Sequence, residues 1–279
     1  MRLSSDEREI RLTGNLSSVW RRGDTVRRST GPWTPAVHAL LHHLAAAGFD
    51  GAPRVLGIDA QGREVLSYLE GEVPAYPVPA SLWSDQVLET AARLLRRFHD
   101  ATAGFHLAGA VWRSGAGAPG GGEVICHNDV AHYNTVFRAG RPVAFIDWDF
   151  AAPGPRAWDL AYAAYRFVPM AHDEHGPVFG VPLPVDRPGR LRRLCDAYGL
   201  DDRSRFVDVL LERIEAVCHL IVDQAAQGDP AFRRFLAEGH VAGYRRDLRF
   251  IESIRADLTR ALAGPPGGPP GPGPGRRTP

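Results

Sequence analysis

Residues 123–149 read EVICHNDVAHYNTVFRAGRPVAFIDWD, and the spacing of apolar and polar positions within them decides the fold. Val124-Ile125-Cys126 is a short apolar run of strand character that delivers His127, Asn128 and Asp129 into a polar loop. Thr135-Val136-Phe137 is a second β-prone run, Arg138-Ala139-Gly140-Arg141 is a turn, and Pro142 to Ile146 is the return strand, ending on Asp147, Trp148 and Asp149. Antiparallel partners in a hairpin have residue numbers of constant sum, so a turn centred on the Gly140–Arg141 step sets Asn134 beside Asp147. An amide oxygen next to a carboxylate suits a hard, oxygen-loving cation such as Mg²⁺. Asp129, on the loop ahead of Asn134, is left free to handle a proton.

His127-x-Asp129-x-x-x-x-Asn134 followed by Asp147 resembles the catalytic loop and metal-binding Asp of the protein-kinase-like fold. With Ile146-Asp147-Trp148 and then Trp158-Asp159-Leu160-Ala161, the stretch is most similar to the aminoglycoside phosphotransferase and choline kinase-like family. The resemblance implies that Asp129 orients the acceptor hydroxyl and takes its proton. It implies that Asn134 and Asp147 hold Mg²⁺, that Asp159 braces the catalytic loop from a helix start, and that His127 is structural. ATP (or GTP) would be the phosphoryl donor.

Composition places few limits beyond this. The 279 residues suffice for one large domain or two lobes, and 44% hydrophobic with 23% charged residues is ordinary for a globular chain. A net charge of +1 gives no global field pointing to nucleic acid or a membrane surface. All 33 basic residues are Arg. Three widely spaced cysteines without a C-x-x-C pair argue against a disulfide framework and fit a reducing cytoplasm. No run approaches the roughly 18 apolar residues of a membrane span, and the first ten residues carry no secretory pattern. A cytoplasmic monomer or dimer is expected, with a small-molecule hydroxyl substrate and neither nucleic acid nor membrane as partner.

Residues 1–72 read as an N-terminal lobe. Two β-prone segments, 12–21 and 23–28, surround a small polar turn, and a helix runs from Thr34 as N-cap, with Pro35 behind it, to about Ala47. Two further strands, within 53–58 and 63–69, are joined by Asp59-Ala60-Gln61-Gly62. By the resemblance, Gly14, Ser17 and Ser18 would cover the nucleotide phosphates, although one glycine stands where the family has several. Arg28 takes the position of the phosphate-pairing Lys; it keeps the charge but not the compact ammonium. The family pairs that Lys with a helix Glu. No Asp or Glu lies between Asp24 and Asp50, so neutral chemistry is expected there and Arg28 must find another partner or be oriented by the nucleotide alone. Tyr68 to Gly71, Glu70 included, reads as a hinge between lobes, and the resemblance implies that its backbone bonds the adenine ring.

Residues 73–263 read as a mainly helical lobe. Helices are expected over about 84–102, from Trp158-Asp159 after a Pro153-Gly154-Pro155 turn, and over about 187–198, 203–227, 230–240 and 241–262. His99 and Asp100 read as an ordinary helix C-terminus. Asp208, Glu212 and Glu215 form one acidic stripe, which could hold the amino groups of a cationic acceptor or simply face solvent. Residues 264–279, rich in Pro and Gly, read as a disordered tail.

The expected fold is therefore α+β: a two-lobed protein-kinase-like fold with a small antiparallel-sheet N-lobe and a mainly helical C-lobe. The expected function is transfer of a γ-phosphoryl group to a small-molecule hydroxyl, with an aminoglycoside or another antibiotic as the leading acceptor. Two alternatives stand beside it: a catalytically inactive kinase-like binding or immunity protein, and a metal-dependent hydrolase using His127, Asp129 and Asp147.

Overall fold

The computed structural model describes residues 9–12, 19–113 and 121–263; Gly14, Ser17, Ser18 and the tail at 264–279 lie outside them. The N-terminal elements form an antiparallel sheet from β1 (Ile10–Leu12), β2 (Val19–Arg22), β3 (Thr25–Arg28), β4 (Val55–Ile58) and β5 (Glu64–Ser67), in the order β1-β2-β3-β5-β4. The tight β2–β3 turn uses Gly23 at φ 55 and is closed by the Thr25 hydroxyl, which donates to Arg22 O at 2.7 Å. Helix α1 (Thr34–Ala46) intervenes between β3 and β4 and buries Leu40, Leu41 and Leu44, the apolar face its sequence spacing sets out. Its cap is Trp33 rather than Thr34. Thr34 is already helical, and its hydroxyl oxygen accepts from Gly31 N at 2.8 Å.

Beyond the hinge, α2 (Asp85–Thr102) opens on Ser84, whose hydroxyl oxygen accepts from Val87 N at 3.3 Å. It buries Val87, Leu88, Ala91, Leu94, Leu95 and Phe98. The Phe98 ring packs edge-on against Trp148 at 4.9 Å and lies 6.0 Å from Phe49, so this helix fixes the end of the 135–145 hairpin and the end of α1 at once. The hairpin is β7 (Thr135–Arg138) with β8 (Arg141–Phe145), preceded by β6 (Val124–Cys126). β9 (Ala152–Gly154) pairs antiparallel with β6, where a turn was expected. A two-stranded ribbon always leaves one edge unpaired, and Pro153, without an N–H, is tolerated there opposite Ile125.

The remaining helices are α3 (Arg156–Phe167), α4 (Gly176–Phe179), α5 (Arg187–Tyr198), α6 (Phe206–Ala226), α7 (Pro230–Ala237), α8 (His240–Ser253) and α9 (Arg255–Ala263). α3 begins two residues before Trp158, because Pro155 is its cap. The helix expected over 241–262 is two helices that part at Ile254. One continuous core runs from Leu40 in α1 through α2, α3, α5 and α6 to Leu262 in α9. No helix among the described residues is long and apolar enough to cross a membrane.

Within that core, the 3-10 turn His132–Asn134 buries His132 completely, stacked on Phe167 at 4.1 Å with Nε2 at 3.3 Å from Leu82 O. Burial pushes its pKa down to about 3, against about 6.5 for a free imidazole. Between those values the unfolded chain binds a proton that the folded chain refuses, so stability falls as pH drops below about 6.5. The expected slope is about 1.4 kcal/mol per pH unit for this one proton. Thermal midpoints measured between pH 7.5 and 4.5 should fall accordingly, and His132→Gln should flatten that dependence while lowering the midpoint at pH 7.5.

Candidate active site

The catalytic-loop residues are held by a single buried carboxylate. Asp159, in the first turn of α3, is fully buried; its Oδ2 accepts from His127 N at 2.7 Å and from His99 Nε2 at 3.1 Å, and its Oδ1 accepts from Asn128 N at 2.8 Å. Burial opposes its charge, but the His99 hydrogen bond and the loop amides outweigh that and hold the carboxyl below its usual range. His99 is thus no ordinary helix C-terminus, as its sequence position suggested. It is buried between Asp159 and the Tyr198 hydroxyl at 2.6 Å, and burial lowers its pKa. His127 Nε2 donates to Ile146 O at 3.0 Å and its Nδ1 accepts from Asp129 N at 3.3 Å, so both ring nitrogens are committed to shaping the loop. Asn128 takes the left-handed conformation, φ 65, and its side-chain amide donates to Phe150 O at 2.9 Å.

Asp129 accepts two side-chain hydrogen bonds, from Tyr133 Oη to Oδ1 and from Asn134 Nδ2 to Oδ2, both at 2.8 Å. Burial raises its pKa; Arg166 and the Tyr133 hydroxyl pull it back, and the nearby Asp147 charge adds to the rise. A carboxylate in that position is a stronger proton acceptor than one in water. Asn134 Nδ2 also donates to Asp129 O at 3.0 Å, which leaves its amide oxygen as the atom to offer a cation.

The hairpin register differs from expectation by one residue. Thr135 faces Phe145 and Ile146 N donates to Asn134 O at 2.9 Å, so Ile146 lies opposite Asn134. The register shifts between Val136 and Phe137, with Val143 as the extra residue, which a count from the turn cannot show. Asp147 instead leaves the strand in the left-handed conformation, φ 62, with its side chain 33% exposed, and Oδ1 accepts from Arg28 Nη1 at 3.1 Å.

Arg28 does not rest on neutral chemistry. Its cross-strand partner in β5 is Glu64, and Arg28 Nε lies 2.8 Å from Glu64 Oε1. Glu64 Oε2 in turn lies 2.8 Å from His38 Nε2 on α1. The helix therefore braces the β3 cation through a carboxylate on the neighbouring strand. Arg28 also pairs with Asp149, which a second arginine, Arg113, reaches at 3.3 Å. Burial opposes the charge on Arg28, but Asp147, Asp149 and Glu64 more than offset it and raise its pKa. Sequence reading assigns Glu64 no role and names Asp149 only as an acid at the end of the return strand; its place two residues after Asp147 could have marked it.

At the hinge, Tyr68 N donates to Asp24 O at 2.8 Å, and Glu70 O accepts from Arg138 Nε at 2.8 Å. Glu72 and Phe137 exchange backbone hydrogen bonds at 2.8 and 2.7 Å, tying the hinge to β7. Gly71 sits between them at φ 144, where a Cβ would lie 2.5 Å from Val136 Cγ1 and 2.6 Å from Phe137 O. Gly71→Ala should therefore cost about 2 kcal/mol or more and separate the hinge from β7, read as a lower thermal midpoint and faster amide exchange at Glu72 and Phe137.

The acids of α6 each have an Arg or His partner close at hand. Asp208 pairs with Arg255 and with Arg205 at 3.7 Å, Glu212 with Arg205 at 3.1 Å, and Glu215 with His219 at 3.4 Å. Glu212 and Glu215 line a groove of about 740 Å³ with Trp158 and Leu248, and none of the three acids bonds to Asp129, Asn134 or Asp147. Around Asp129 the walls are phenols and one arginine: Tyr133, Tyr162 and Arg166, with Tyr76 packed on Tyr133 at 5.7 Å. Their sequence positions are too scattered to have signalled a cluster.

Known proteins resemble this chain in sequence and in fold. The model of the phosphotransferase enzyme family matches residues 110–206. The trifolitoxin immunity protein of Rhizobium leguminosarum bv. trifolii is 40% identical over 211 residues, which cover 73% of this chain and 79% of that protein. Among solved structures, a choline/ethanolamine kinase family protein from Mesorhizobium loti superposes with a TM-score of 0.58 at 19% identity, over 94% of each chain. Choline kinase LicA from Streptococcus pneumoniae gives a TM-score of 0.55 at 14% identity, over 87% of this chain and 92% of that one. The gentamicin complex of APH(2")-IIa gives 0.53 at 12% identity, over 91% and 93%. The chain belongs to the aminoglycoside phosphotransferase and choline kinase-like family of phosphotransferases and has its protein-kinase-like fold.

Proposed function

We propose that this protein transfers the γ-phosphoryl group of ATP or GTP to a hydroxyl of a small molecule bound beside Asp129. The observation that carries the proposal is that Asn134 spends its amide nitrogen on Asp129 and keeps its oxygen, while Asp147 follows the Ile146 that bonds Asn134 and lies near enough for its charge to act on Asp129. That oxygen and the Asp147 carboxylate make an oxygen-only donor set, which fits Mg²⁺. Bound there, Mg²⁺ would supply charge neutralisation of the nucleotide phosphates. Asp129, its pKa raised by burial, orients the acceptor hydroxyl and takes its proton while the new P–O bond forms and the bond to the nucleoside diphosphate breaks. Arg28, itself held by Glu64 and Asp149, would fix the Asp147 carboxylate, and Gly14, Ser17 and Ser18 would cover the phosphates. Adenine recognition at Tyr68–Gly71 would use backbone groups other than the Tyr68 N–H and the Glu70 C=O, both already bonded within the protein.

The hydrolase alternative is not favoured, because both nitrogens of His127 are occupied within the loop and no group of three or more His, Cys, Asp or Glu side chains gathers as a metal site among the described residues. An immunity role is compatible with phosphoryl transfer: the 40% identical relative is named for immunity to a toxin, and a phosphorylated toxin is a modified one. The test is incubation with Mg²⁺ and ATP or GTP against aminoglycosides, other hydroxylated antibiotics and small metabolites, followed by mass spectrometry. An acceptor heavier by one phosphoryl group is the expected result. Tight toxin binding with neither product nor nucleotide consumption would favour the non-catalytic alternative.

A further inference from the structure

The surroundings of Asp129 are built on one guanidinium among tyrosines. Arg166, on α3, donates from Nε and Nη2 to Tyr162 Oη at 3.2 and 2.8 Å, and from Nη2 to Tyr244 Oη at 2.8 Å. Its guanidinium carbon lies 5.6 Å from the centre of the Tyr133 ring, 4.9 Å from that of Tyr165 and 5.8 Å from that of Tyr244. Tyr133 donates to Asp129 Oδ1 at 2.8 Å, and its oxygen lies 3.4 Å from that of Tyr162. A chain of hydroxyls thus connects Arg166 to the proposed base.

Among the described residues no carboxylate forms an ion pair with Arg166; its hydrogen bonds go to phenol oxygens. Asp247, an acid of the same neighbourhood, is spent on Tyr165 Oη at 2.6 Å, His172 N at 2.9 Å and His175 Nδ1 at 3.4 Å. The groups that Arg166 bonds are phenols, which offer dipoles rather than charge. Arg28 and Arg187, by contrast, each have carboxylate partners. A guanidinium kept largely from water with no carboxylate in hydrogen-bonding contact, Asp129 acting on it only through the intervening phenols, is costly unless a ligand completes it, and a guanidinium suits carboxylate and phosphate. An amino group brought to the same place would meet like charge.

Resting on the phosphotransferase reading, we infer that Arg166 and its tyrosines form an anion subsite of the acceptor pocket, so that the acceptor carries a carboxylate or phosphate near the hydroxyl it presents to Asp129. This departs from the cationic acceptor that the α6 acids suggested.

The test is direct calorimetric binding to the full chain, with and without a non-hydrolysable ATP analogue and Mg²⁺. Four three-carbon probes are compared: glycerate, glycerol 3-phosphate, glycerol and 3-aminopropane-1,2-diol. The wild type should bind at least one of the anions about tenfold or more tighter than glycerol and the amine. Which anion gains more separates carboxylate from phosphate as the recognised group. Arg166→Gln should lose the preference, Arg166→Lys should keep part of it, and Tyr244→Phe, which leaves the charge in place, should keep its sign. Affinity for the nucleotide analogue should change by no more than about twofold in each variant. Equal binding of all four probes, tighter binding of the amine, or an intact preference in Arg166→Gln each overturns the inference, as does an Arg166→Gln variant that loses the nucleotide instead. Arg166-dependent anion binding by a protein that phosphorylates nothing would defeat the phosphotransferase reading and leave the subsite. Phosphoryl transfer without such a preference would do the reverse.

Discussion

Asp129→Asn should lower kcat by about a thousandfold or more while nucleotide affinity stays within about threefold of wild type. The amide occupies the same volume; its oxygen can accept from Asn134 Nδ2 while its NH₂ donates to Tyr133 Oη, whose hydroxyl turns to accept, so the loop keeps its shape while the proton acceptor is lost. The size of the effect follows from the environment: burial favours the protonated form of Asp129, and this makes it a competent base at neutral pH. The variant is to be assayed for product by mass spectrometry and for nucleotide binding by calorimetry. Retention of the wild-type rate would move the base elsewhere; loss of nucleotide binding in parallel would mean that Asp129 serves the fold or the donor site rather than the acceptor.

The second large effect is on stability. Asp159→Ala should cost about 3–5 kcal/mol, because it leaves the His127 and Asn128 amides and the His99 ring nitrogen buried without their acceptor. In a chain of this length that corresponds to a fall in thermal midpoint of roughly 10 °C. Asp159→Asn should also destabilise, since it presents an amide NH₂ toward groups that are themselves donors. Denaturant unfolding and thermal scans of both variants check this. An Asp159→Asn protein as stable as wild type would contradict the bracing role, since three donors converge on that carboxylate.

How much of this was legible in the sequence depends on the range of each interaction. The hairpin, its loop and the α2 face were readable because their signals are local: polar residues at fixed spacing, and Val87, Leu88, Ala91, Leu94, Leu95 and Phe98 at helical spacing. The exact register was not, because one bulge residue in β8 shifts every partner beyond it. The bracing of Arg28 was missed for a different reason. A search of α1 for an acid looks along the helix, whereas Glu64 arrives by strand pairing, 36 positions from Arg28 in the chain (64 − 28), and His38 completes the link from the helix. β9 was hidden by its Pro-Gly composition. The wall of tyrosines around Arg166 draws on residues 76, 133, 162, 165 and 244, brought together only by the packing of α3 and α8 against the hairpin and the segment after the hinge.

The α6 stripe shows the converse. Asp208, Glu212 and Glu215 were conspicuous in sequence as one face, yet each lies against an Arg or His partner at the surface, where exposed pairs contribute little to stability. The residues that touch Asp129 are neutral or positive, apart from the charge of nearby Asp147.

The central claim is that Asp129, Asn134 and Asp147 form a phosphoryl-transfer centre. It is tested most directly by following ³¹P NMR of Mg²⁺ and ATP with the wild-type protein and pooled hydroxylated acceptors, beside the Asp129→Asn variant. The account predicts a new phosphomonoester signal that grows in step with ADP for the wild type and is absent for the variant. ATP left unchanged by the wild type across the pool, or inorganic phosphate as its sole product, would contradict it.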